Sequence, residues 1–273
     1  MPGAAETHLS TVEAWECDDN DHLNIQFYFE RFAMAEAHAV LALGGAVPAA
    51  APLSRHVRFH SELRGGDLVR IASEVAWADG RLGVLHRMTD PADGRLAATA
   101  VDLYDAPGRG GELDEVAGPR SLDAGPTPFA DVSGPGRKVT GRWVVQPSEC
   151  VAAGGLSDRG LVALISRANA QFWNGSPCGR DFMAARNWGR AVVEMKLTVG
   201  TRPAAGTPIL VASSPIQALR SAVALRHAFV DAASGAVLAM VDGSSVIFDR
   251  VARKAQKLPD AMREWLDARI GAE

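Results

Sequence analysis

Cysteine is scarce in this chain, and its three occurrences are far apart. Cys17, Cys150 and Cys178 are odd in number and do not have the spacing of a metal or redox motif. A disulfide framework needs paired cysteines, and a zinc site needs clustered ligands. We therefore expect no metal site, a reducing compartment, and thiols that act as small buried hydrophobes.

The chain also lacks a basic excess and a long apolar run. It has 28 Lys and Arg against 32 Asp and Glu, a net charge of −4, which disfavours nucleic acid as a partner. No run reaches the ~18 apolar residues that a membrane span needs. The first ten residues, MPGAAETHLS, show neither the charged nor the apolar region of a signal peptide. We expect a cytoplasmic protein with no membrane partner.

The first half contains one helical pattern between strand-like runs. Phe29, Phe32, Ala33 and Ala37 fall at helical spacing, so a helix is predicted from Ile25 to about Leu43. The runs that predict strands are short, apolar and bounded by turn residues. They cover residues 8–17, 54–63, 67–78, 81–90 and 95–105.

The second half repeats this order after a segment rich in Gly, Pro and Asp, residues 106–138, which is typical of a linker. The predicted elements are a strand at 141–150, a helix at 156–173, strands at 190–199, 208–219, 221–231 and 236–249, and a last helix from Pro259. Residues match as well: His86, Asp90 and Gly94 recur 141 positions later as His227, Asp231 and Gly235. An internal duplication is indicated, with seven or eight extra residues between helix and hairpin in the second copy.

The predicted fold class is therefore α+β, with two copies of one helix followed by an antiparallel meander. The expected boundaries are an N-terminal domain at 1–105, the linker at 106–138 and a C-terminal domain at 139–273 that ends in the last helix. Two such copies could pair as a pseudo-dimer within one chain.

Polar residues crowd the turn before the first helix, in the stretch WECDDNDHLNIQFYFERF from Trp15 to Phe32. This stretch resembles the signature of the hot-dog-fold thioesterases, of both the 4-hydroxybenzoyl-CoA and the acyl-ACP groups. The matching positions are Asp18, Asn20, His22, Leu23, Asn24 and Tyr28, with Glu62 as a looser match in the second strand. Asp21 and Ile25 depart from the pattern, since many relatives carry Gly and Asn there. The resemblance implies two tandem hot-dog domains, each a central helix wrapped by a sheet, and a thioesterase that needs no cofactor.

Thioester hydrolysis needs an activated nucleophile and donors for the developing oxyanion. Asp18 could attack the carbonyl or act as general base on water, and Glu62 could be a second base. Asn20 and His22 could orient Asp18 or the water, and His22 could protonate the leaving thiolate. Backbone N–H groups near Asn24 and Ile25, at the helix N-terminus, could polarise the carbonyl.

The carrier of the acyl group leaves few signs in the sequence. No glycine-rich phosphate loop is present, so CoA or the phosphopantetheine of ACP would be held by scattered basic residues. Arg55, Arg58 and Arg64 are the candidates, with Tyr28 as a further binding residue from the signature. Solvated strand arginines are the alternative. A homo-oligomer, a dimer of double hot-dogs, is expected.

Structural alternatives exist for these residues. The acidic turn could be an Asx-type cap of the helix. Phe27, Phe29 and Phe32 are most simply helix core, and His56, His60, His86 and His227 are strand residues in packing or solvent.

The second copy lacks the ionisable set, because Asp18, Asn20, His22 and Asn24 are answered by Val151, Ala153, Gly155 and Ser157. One active site per chain is therefore expected. Two other functions remain open: a hot-dog hydratase or dehydratase acting on acyl thioesters, and a non-catalytic acyl-CoA-binding module.

Overall fold

The computed structural model describes residues 3–18, 20–107, 111–113, 116–129, 136–152 and 154–270. The architecture is α+β, with antiparallel sheet and few helices, as predicted. The chain divides into two compact units, Met1–Pro126 and Thr127–Glu273. In the part of the chain that is described, no helix has both the length and the apolar character that crossing a membrane requires.

Unit 1 is a helix packed on an antiparallel sheet. Its elements are β1 (Ala5–Thr11), α1 (Ile25–Ala42), β2 (Ser54–Phe59), β3 (Leu68–Ala78), β4 (Arg81–Asp90), β5 (Arg95–Leu103) and the short β6 (Gly111–Glu112). The strands lie in the order β1-β3-β4-β5-β2, with β6 parallel to β3. Helix α1 packs against β1, β3 and β4.

The apolar face of α1 explains why it lies on the sheet. Phe29, Phe32, Ala35 and Ala39 are completely buried, and Phe27 nearly so, which confirms the aromatic residues as helix core. Full burial of each phenylalanine side chain stabilises the fold by roughly 1.5–3 kcal/mol relative to an exposed one. The helix begins after Asn24, whose Oδ1 accepts the N–H of Gln26 at 3.2 Å and so caps the first turn.

Unit 2 repeats the strand order. Its elements are β7 (Lys138–Val144), α2 (Asp158–Asn174), α3 (Arg180–Ala185), β8 (Trp188–Val199), β9 (Pro208–Ala218), β10 (Ala222–Asp231), β11 (Val237–Asp249), β12 (Lys254–Ala255) and α4 (Asp260–Ile270). The order β7-β9-β10-β11-β8 corresponds strand by strand to that of unit 1. Helix α3 has no counterpart in unit 1 and occupies the predicted insertion between helix and hairpin.

Matching turns support the duplication. The N–H of Gly94 bonds to the carbonyl of Asp90 at 2.8 Å, and that of Gly235 to Asp231 at 2.9 Å. The two glycines have φ of 75° and 76°, a region that only glycine enters without strain. Short bridges between Cys17 and Leu23 and between Cys150 and Leu156 close the same loop in each unit.

The first strand of each unit is shorter than predicted. The predicted strand 8–17 ends at Thr11, and residues Ala14–Glu16 form a 3₁₀ helix instead. The carboxylate of Glu16 accepts the N–H of Glu13 at 2.8 Å, which stabilises this turn against an extended chain. Glu149 does the same for Gln146 at 2.9 Å in unit 2, where the predicted strand 141–150 ends at Val144.

Several described residues of the predicted linker are packed against the units. Ala117 is buried in a cluster with Ala78 and Leu103 of unit 1. Thr127 donates its hydroxyl to Asp242 of unit 2 at 2.8 Å. These contacts are long in range, so composition alone could not reveal them.

A buried chain of polar side chains crosses each sheet. In unit 1, Thr7 and Ser73 are joined at 2.6 Å, Ser73 and His86 at 2.6 Å, and His86 and Asp102 at 3.2 Å. Burial alone would raise the pKa of Asp102, but Arg55, assisted by His86, lowers it to about 2. In unit 2, Thr140, Ser213 and His227 form the matching chain, with contacts of 2.5 and 2.6 Å. Both histidines are thus buried strand residues.

Acid should weaken unit 2 through His227. Burial lowers the pKa of His227 to about 4, opposed by the charge of Asp242, whereas an unfolded histidine has a pKa of about 6.5. Between these values the unfolded state binds the proton, so this contribution is fully present above pH 6.5 and is lost as the pH falls towards 4. When the pH falls from 7 to 4.5, the unfolding free energy of the wild type should therefore decrease. We expect this decrease to be about 2 kcal/mol smaller in His227→Asn, which lacks the titrating group.

Urea unfolding of the full chain at the two pH values measures this. His38→Asn, at an exposed position of α1, is the matched control and should keep the wild-type pH dependence. Equal pH dependence in the wild type and the His227 variant would contradict the assignment.

Candidate active site

The acidic turn before α1 is closed by Asp18. Its Oδ1 accepts the N–H of Asn20 at 2.8 Å and the N–H of His22 at 3.2 Å, while its own N–H bonds to the carbonyl of His22 at 2.8 Å. Asp21 adopts φ of 60°, a left-handed conformation that aspartate and asparagine tolerate better than most residues. The Asp18 carboxylate is therefore held in place while remaining exposed. Asp19 lies outside the described residues.

Glu62 reaches this turn from the loop after β2. Its Oε2 lies 3.1 Å from Nε2 of His22, and the two side chains are 38% and 15% exposed. Arg95 holds the loop by donating to the carbonyl of Glu62 at 2.9 Å. The N–H of Leu23 bonds to the carbonyl of Leu63 at 2.7 Å, which fastens the turn to the same loop. The structure thus brings all four predicted catalytic residues, Asp18, Asn20, His22 and Glu62, into one small region.

The start of α1 lies beside these groups. The side chain of Asn24 is engaged as the helix cap, and its N–H bonds to the carbonyl of Glu16 at 3.0 Å. Ile25 is the first helical residue and is half-buried. Among the described residues, no acceptor bonds to the N–H of Ile25, so this donor is available to an incoming oxygen.

Tyr28 lies beneath the Glu62 loop. Its ring meets Phe59 edge to face with centroids 5.2 Å apart, and its hydroxyl hydrogen-bonds the backbone of Leu63. Burial raises the pKa of Tyr28, so the phenol stays neutral. The predicted binding residue therefore packs under the site rather than into solvent.

The three predicted carrier-binding arginines are not gathered at the turn. Arg55 is 1% exposed and donates to both oxygens of Asp102, at 2.7 and 2.6 Å, so it is a core residue and not a phosphate contact. Arg58 donates to the carbonyl of Gly118 at 2.6 Å. Arg64 is exposed, and its backbone N–H bonds to Asp67. The strand register explains why Arg55 is buried, because antiparallel pairing of β2 and β5 places it opposite Asp102.

A buried ion pair behind the turn was not predicted. Arg31 of α1 contacts both carboxylate oxygens of Glu16 at 3.1 and 2.7 Å, and also donates to Ser10, Thr11 and Phe27. Both side chains are about 5% exposed. The available sequence signal was an arginine within the apolar stripe of a helix, which needs a partner when buried.

The equivalent turn in unit 2 has different chemistry. The N–H of Leu156 bonds to the carbonyl of Pro203 at 2.9 Å, as Leu23 does to Leu63, so Arg202 occupies the position of Glu62. Arg202 pairs with Asp158 at 2.5 Å and donates to the carbonyl of Leu156 at 2.8 Å. Gly155 takes the place of His22, and a Cβ there would lie 2.5 Å from Cβ of Arg202. Ala153 lies outside the described residues.

No described residues form a group of three or more His, Cys, Asp or Glu side chains that could hold a metal ion. The chemistry of the turn is that of carboxylates, an imidazole and a helix N-terminus.

Comparison with known proteins gives a family match for the first unit and similar folds for the whole chain. Residues 12–104 match the sequence pattern of the thioesterase-like superfamily. The 12:0-ACP thioesterase from Umbellularia californica has TM-score 0.61 and 9% identity, covering 90% of this chain and 94% of that one. An acyl-ACP thioesterase from Bacteroides thetaiotaomicron has TM-score 0.60 and 9% identity, covering 90% and 98%. A protein provisionally named as an oleoyl thioesterase, from Lactobacillus plantarum, has TM-score 0.63 and 10% identity, covering 94% and 98%.

The resemblance to the hot-dog thioesterases is thereby confirmed, for the sequence pattern over the first unit and for the fold over both units. The chain has the tandem hot-dog fold, and its first unit matches the thioesterase-like superfamily pattern. No curated protein matches the sequence.

Removing Arg31 should strongly destabilise unit 1. In Arg31→Ala the carboxylate of Glu16 stays buried without its cation, and breaking a buried pair in this way costs about 3–5 kcal/mol. Arg31→Lys should recover part of this, because a lysine supplies the charge but not the two-pronged contact.

Urea unfolding measures the change. Arg70→Ala is the matched control, since Arg70 pairs with Glu6 at 2.9 Å on the surface and should cost less than about 1 kcal/mol. An Arg31→Ala protein within 1 kcal/mol of the wild type would show that the buried pair does not stabilise this unit.

Proposed function

We propose that the protein is an acyl thioester hydrolase with its active site at the Asp18 turn of unit 1. The observation that carries the proposal is the convergence of Asp18, Asn20 and the His22–Glu62 pair at the N-terminus of α1. The thioesterase-like pattern over residues 12–104 supports the same reaction class.

The free oxygen of Asp18 performs the first step. Oδ1 accepts two backbone N–H groups, whereas Oδ2 has, among the described residues, a single contact, with the side-chain amide of Asn20 at 3.5 Å. Oδ2 can remove a proton from water, whose oxygen then attacks the thioester carbon, or it can attack that carbon itself and form an anhydride that water later opens. Either route consumes one water and yields a free acid and a thiol.

The neighbouring groups stabilise the negative charges that develop on the carbonyl oxygen and on the leaving sulfur. The free N–H of Ile25 and the helix dipole favour the developing negative charge on the carbonyl oxygen. His22, oriented by Glu62, can protonate the thiolate as the carbon–sulfur bond breaks, although a thiolate leaves readily without this help. Asn20 holds the Asp18 side chain from the other side.

The proposed substrate is an acyl group on CoA or on an acyl carrier protein. Some of the similar structures are named as acyl-ACP thioesterases, which makes both carriers reasonable to test. Arg58 and Arg64 remain proposed carrier contacts. We further propose one site per chain, because unit 2 has Gly155 and Arg202 at the positions of His22 and Glu62.

Asp18→Asn is the direct test. The substitution keeps the size of the side chain and its acceptor for the two backbone N–H groups, but removes the negative oxygen. We expect kcat to fall by at least about 100-fold, the lower end of general-base catalysis, with a change in Tm that corresponds to only tenths of a kcal/mol. Thiol release from acyl-CoA and acyl-ACP panels, with melting of the same samples, measures both.

Asp21→Asn is the matched control, because it makes the same change in the same turn at a residue outside the proposed machinery. It should retain activity, since asparagine also tolerates the left-handed backbone at this position. An active Asp18→Asn enzyme would remove Asp18 from the mechanism. Loss of stability with activity retained would assign Asp18 to capping alone.

A further inference from the structure

Arg95 connects the end of β4 to the loop that carries Glu62. One of its Nη atoms donates to the carbonyl of Glu62 at 2.9 Å. The other donates to Oδ2 of Asp67, at the end of the same loop, at 2.9 Å, and to Oδ2 of Asp90, the last residue of β4, at 3.2 Å. One guanidinium therefore holds the loop at two points. We refer to Arg95, Asp67 and Asp90 as the Arg95 cluster.

The two carboxylates of the Arg95 cluster are fixed by their own backbone contacts. Asp67 also accepts the N–H of Arg64 at 2.9 Å, and Oδ1 of Asp90 accepts the N–H of Ala92 at 2.9 Å. Asp90 is buried, at 4% exposure. Charge-assisted bonds from a planar guanidinium to fixed carboxylates have a defined geometry. The cluster therefore defines a position for its third contact, the carbonyl of Glu62.

The side chain of Glu62 extends from this position to the candidate site. Its Oε2 lies 3.1 Å from Nε2 of His22, and the N–H of His22 bonds to Oδ1 of Asp18 at 3.2 Å. Arg95 holds Glu62 by the backbone, so the influence of Arg95 on the imidazole passes through Glu62. The chain of contacts runs from β4 through the loop to the Asp18 turn.

Unit 2 shows that the backbone of the loop does not need the cluster. In unit 2 the N–H of Gly206 bonds to the carbonyl of Val145 at 2.8 Å. In unit 1 the N–H of Gly66 bonds to the carbonyl of Val12, also at 2.8 Å. The same loop backbone is thus present in both units.

The charged groups of the cluster are not repeated in unit 2. When the turn glycines of the two units are aligned, Ala236 takes the position of Arg95 and Thr207 takes that of Asp67. Unit 2 also lacks the imidazole and carboxylate pair of unit 1. The cluster is therefore present in the unit that has this pair and absent from the unit that has lost it.

We propose that Arg95 is a positioning residue for the hydrolysis: it sets the place of Glu62 and, through Glu62, the orientation of His22. The inference rests on the proposed function. The structural alternative is that the cluster only fastens the loop, as Arg202 does in unit 2 by pairing with Asp158. Turnover and stability separate the two roles.

The test is a double-mutant cycle between Arg95 and Glu62. The kcat and KM for dodecanoyl-CoA are measured for the wild type, Arg95→Ala, Glu62→Gln and the double variant. We expect Arg95→Ala to lower kcat at least about tenfold with KM within about twofold, because misplacing a group by about 1 Å can cost about 100-fold. In the Glu62→Gln background, Arg95→Ala should change kcat by less than about twofold, since Arg95 acts through Glu62.

Arg81→Ala is the matched control. Arg81 lies at the other end of β4, pairs with Asp105 at 3.1 Å and has a side chain 38% exposed, against 34% for Arg95. This variant should keep both kcat and KM. Arg95→Lys retains the charge but not the planar fork, so its kcat should lie between those of Arg95→Ala and the wild type. Melting of every variant checks the fold, and Arg95→Lys replaces Arg95→Ala in the cycle if the alanine variant does not fold.

Two kinetic outcomes would overturn the proposal. A lower Tm with unchanged kcat would assign the Arg95 cluster to loop stability alone. A loss of kcat that is equally large in the Glu62→Gln background would show that Arg95 acts by a route other than Glu62. If the wild type hydrolyses another panel thioester faster than dodecanoyl-CoA, the cycle is measured with that compound.

If the wild type hydrolyses no thioester, the proposed function fails, and NMR still decides the role of Arg95. The imidazole signal of His22 is assigned by its loss in His22→Gln. In Arg95→Ala this signal should move towards its position in Glu62→Gln, while Arg81→Ala should leave it in place. An unchanged His22 signal in the folded Arg95→Ala protein would refute the positioning role.

Discussion

The buried contact between Arg31 and Glu16 fixes the relation of three elements on which the candidate site depends. Arg31 stands on α1, Glu16 ends the 3₁₀ helix after β1, and the remaining guanidinium donors reach Ser10 and Thr11 at the end of β1. The carbonyl of Glu16 also receives the N–H of Asn24, which starts α1. Glu16 therefore holds both ends of the short loop that contains Asp18: its carboxylate binds Arg31, and its carbonyl binds the N–H of Asn24.

Unit 2 shows that the scaffold does not require this contact. Glu149 keeps the position of Glu16 and accepts the indole N–H of Trp143 at 3.0 Å instead of a guanidinium. Leu164, at the position of Arg31, is buried and has no polar group that requires a partner. The described backbone hydrogen bonds of the turn, the bridge from Cys150 to Leu156 and the strand order are all retained. The charged groups around the unit 1 turn are therefore not required for the fold, which the hydrophobic helix and the sheet specify.

Local signals in the sequence were sufficient for most of the elements and for the turn. Asn24 as a helix cap, the spacing of Phe29 and Phe32, and the hairpin glycines Gly94 and Gly235 each act over a few residues. What the sequence could not show depends on register and burial. Arg55 has the composition of a surface residue, but strand pairing places it opposite Asp102 in the core. The same limit applies to helix α3 and to the packing of Ala117, whose partners lie far away in the chain.

The contact between Gly155 and Arg202 restricts which residues the turn of unit 2 can accept. A side chain at Gly155 would collide with Arg202, and the backbone there has φ of 84°, which disfavours any residue with a Cβ. A histidine at this position would require the chain at Arg202 to move, because the contact is with its Cβ and its carbonyl group, and that movement would disturb the pairing of Arg202 with the buried carboxylate of Asp158. A single substitution of Gly155 towards the residue of the unit 1 turn is therefore expected to give a less stable protein.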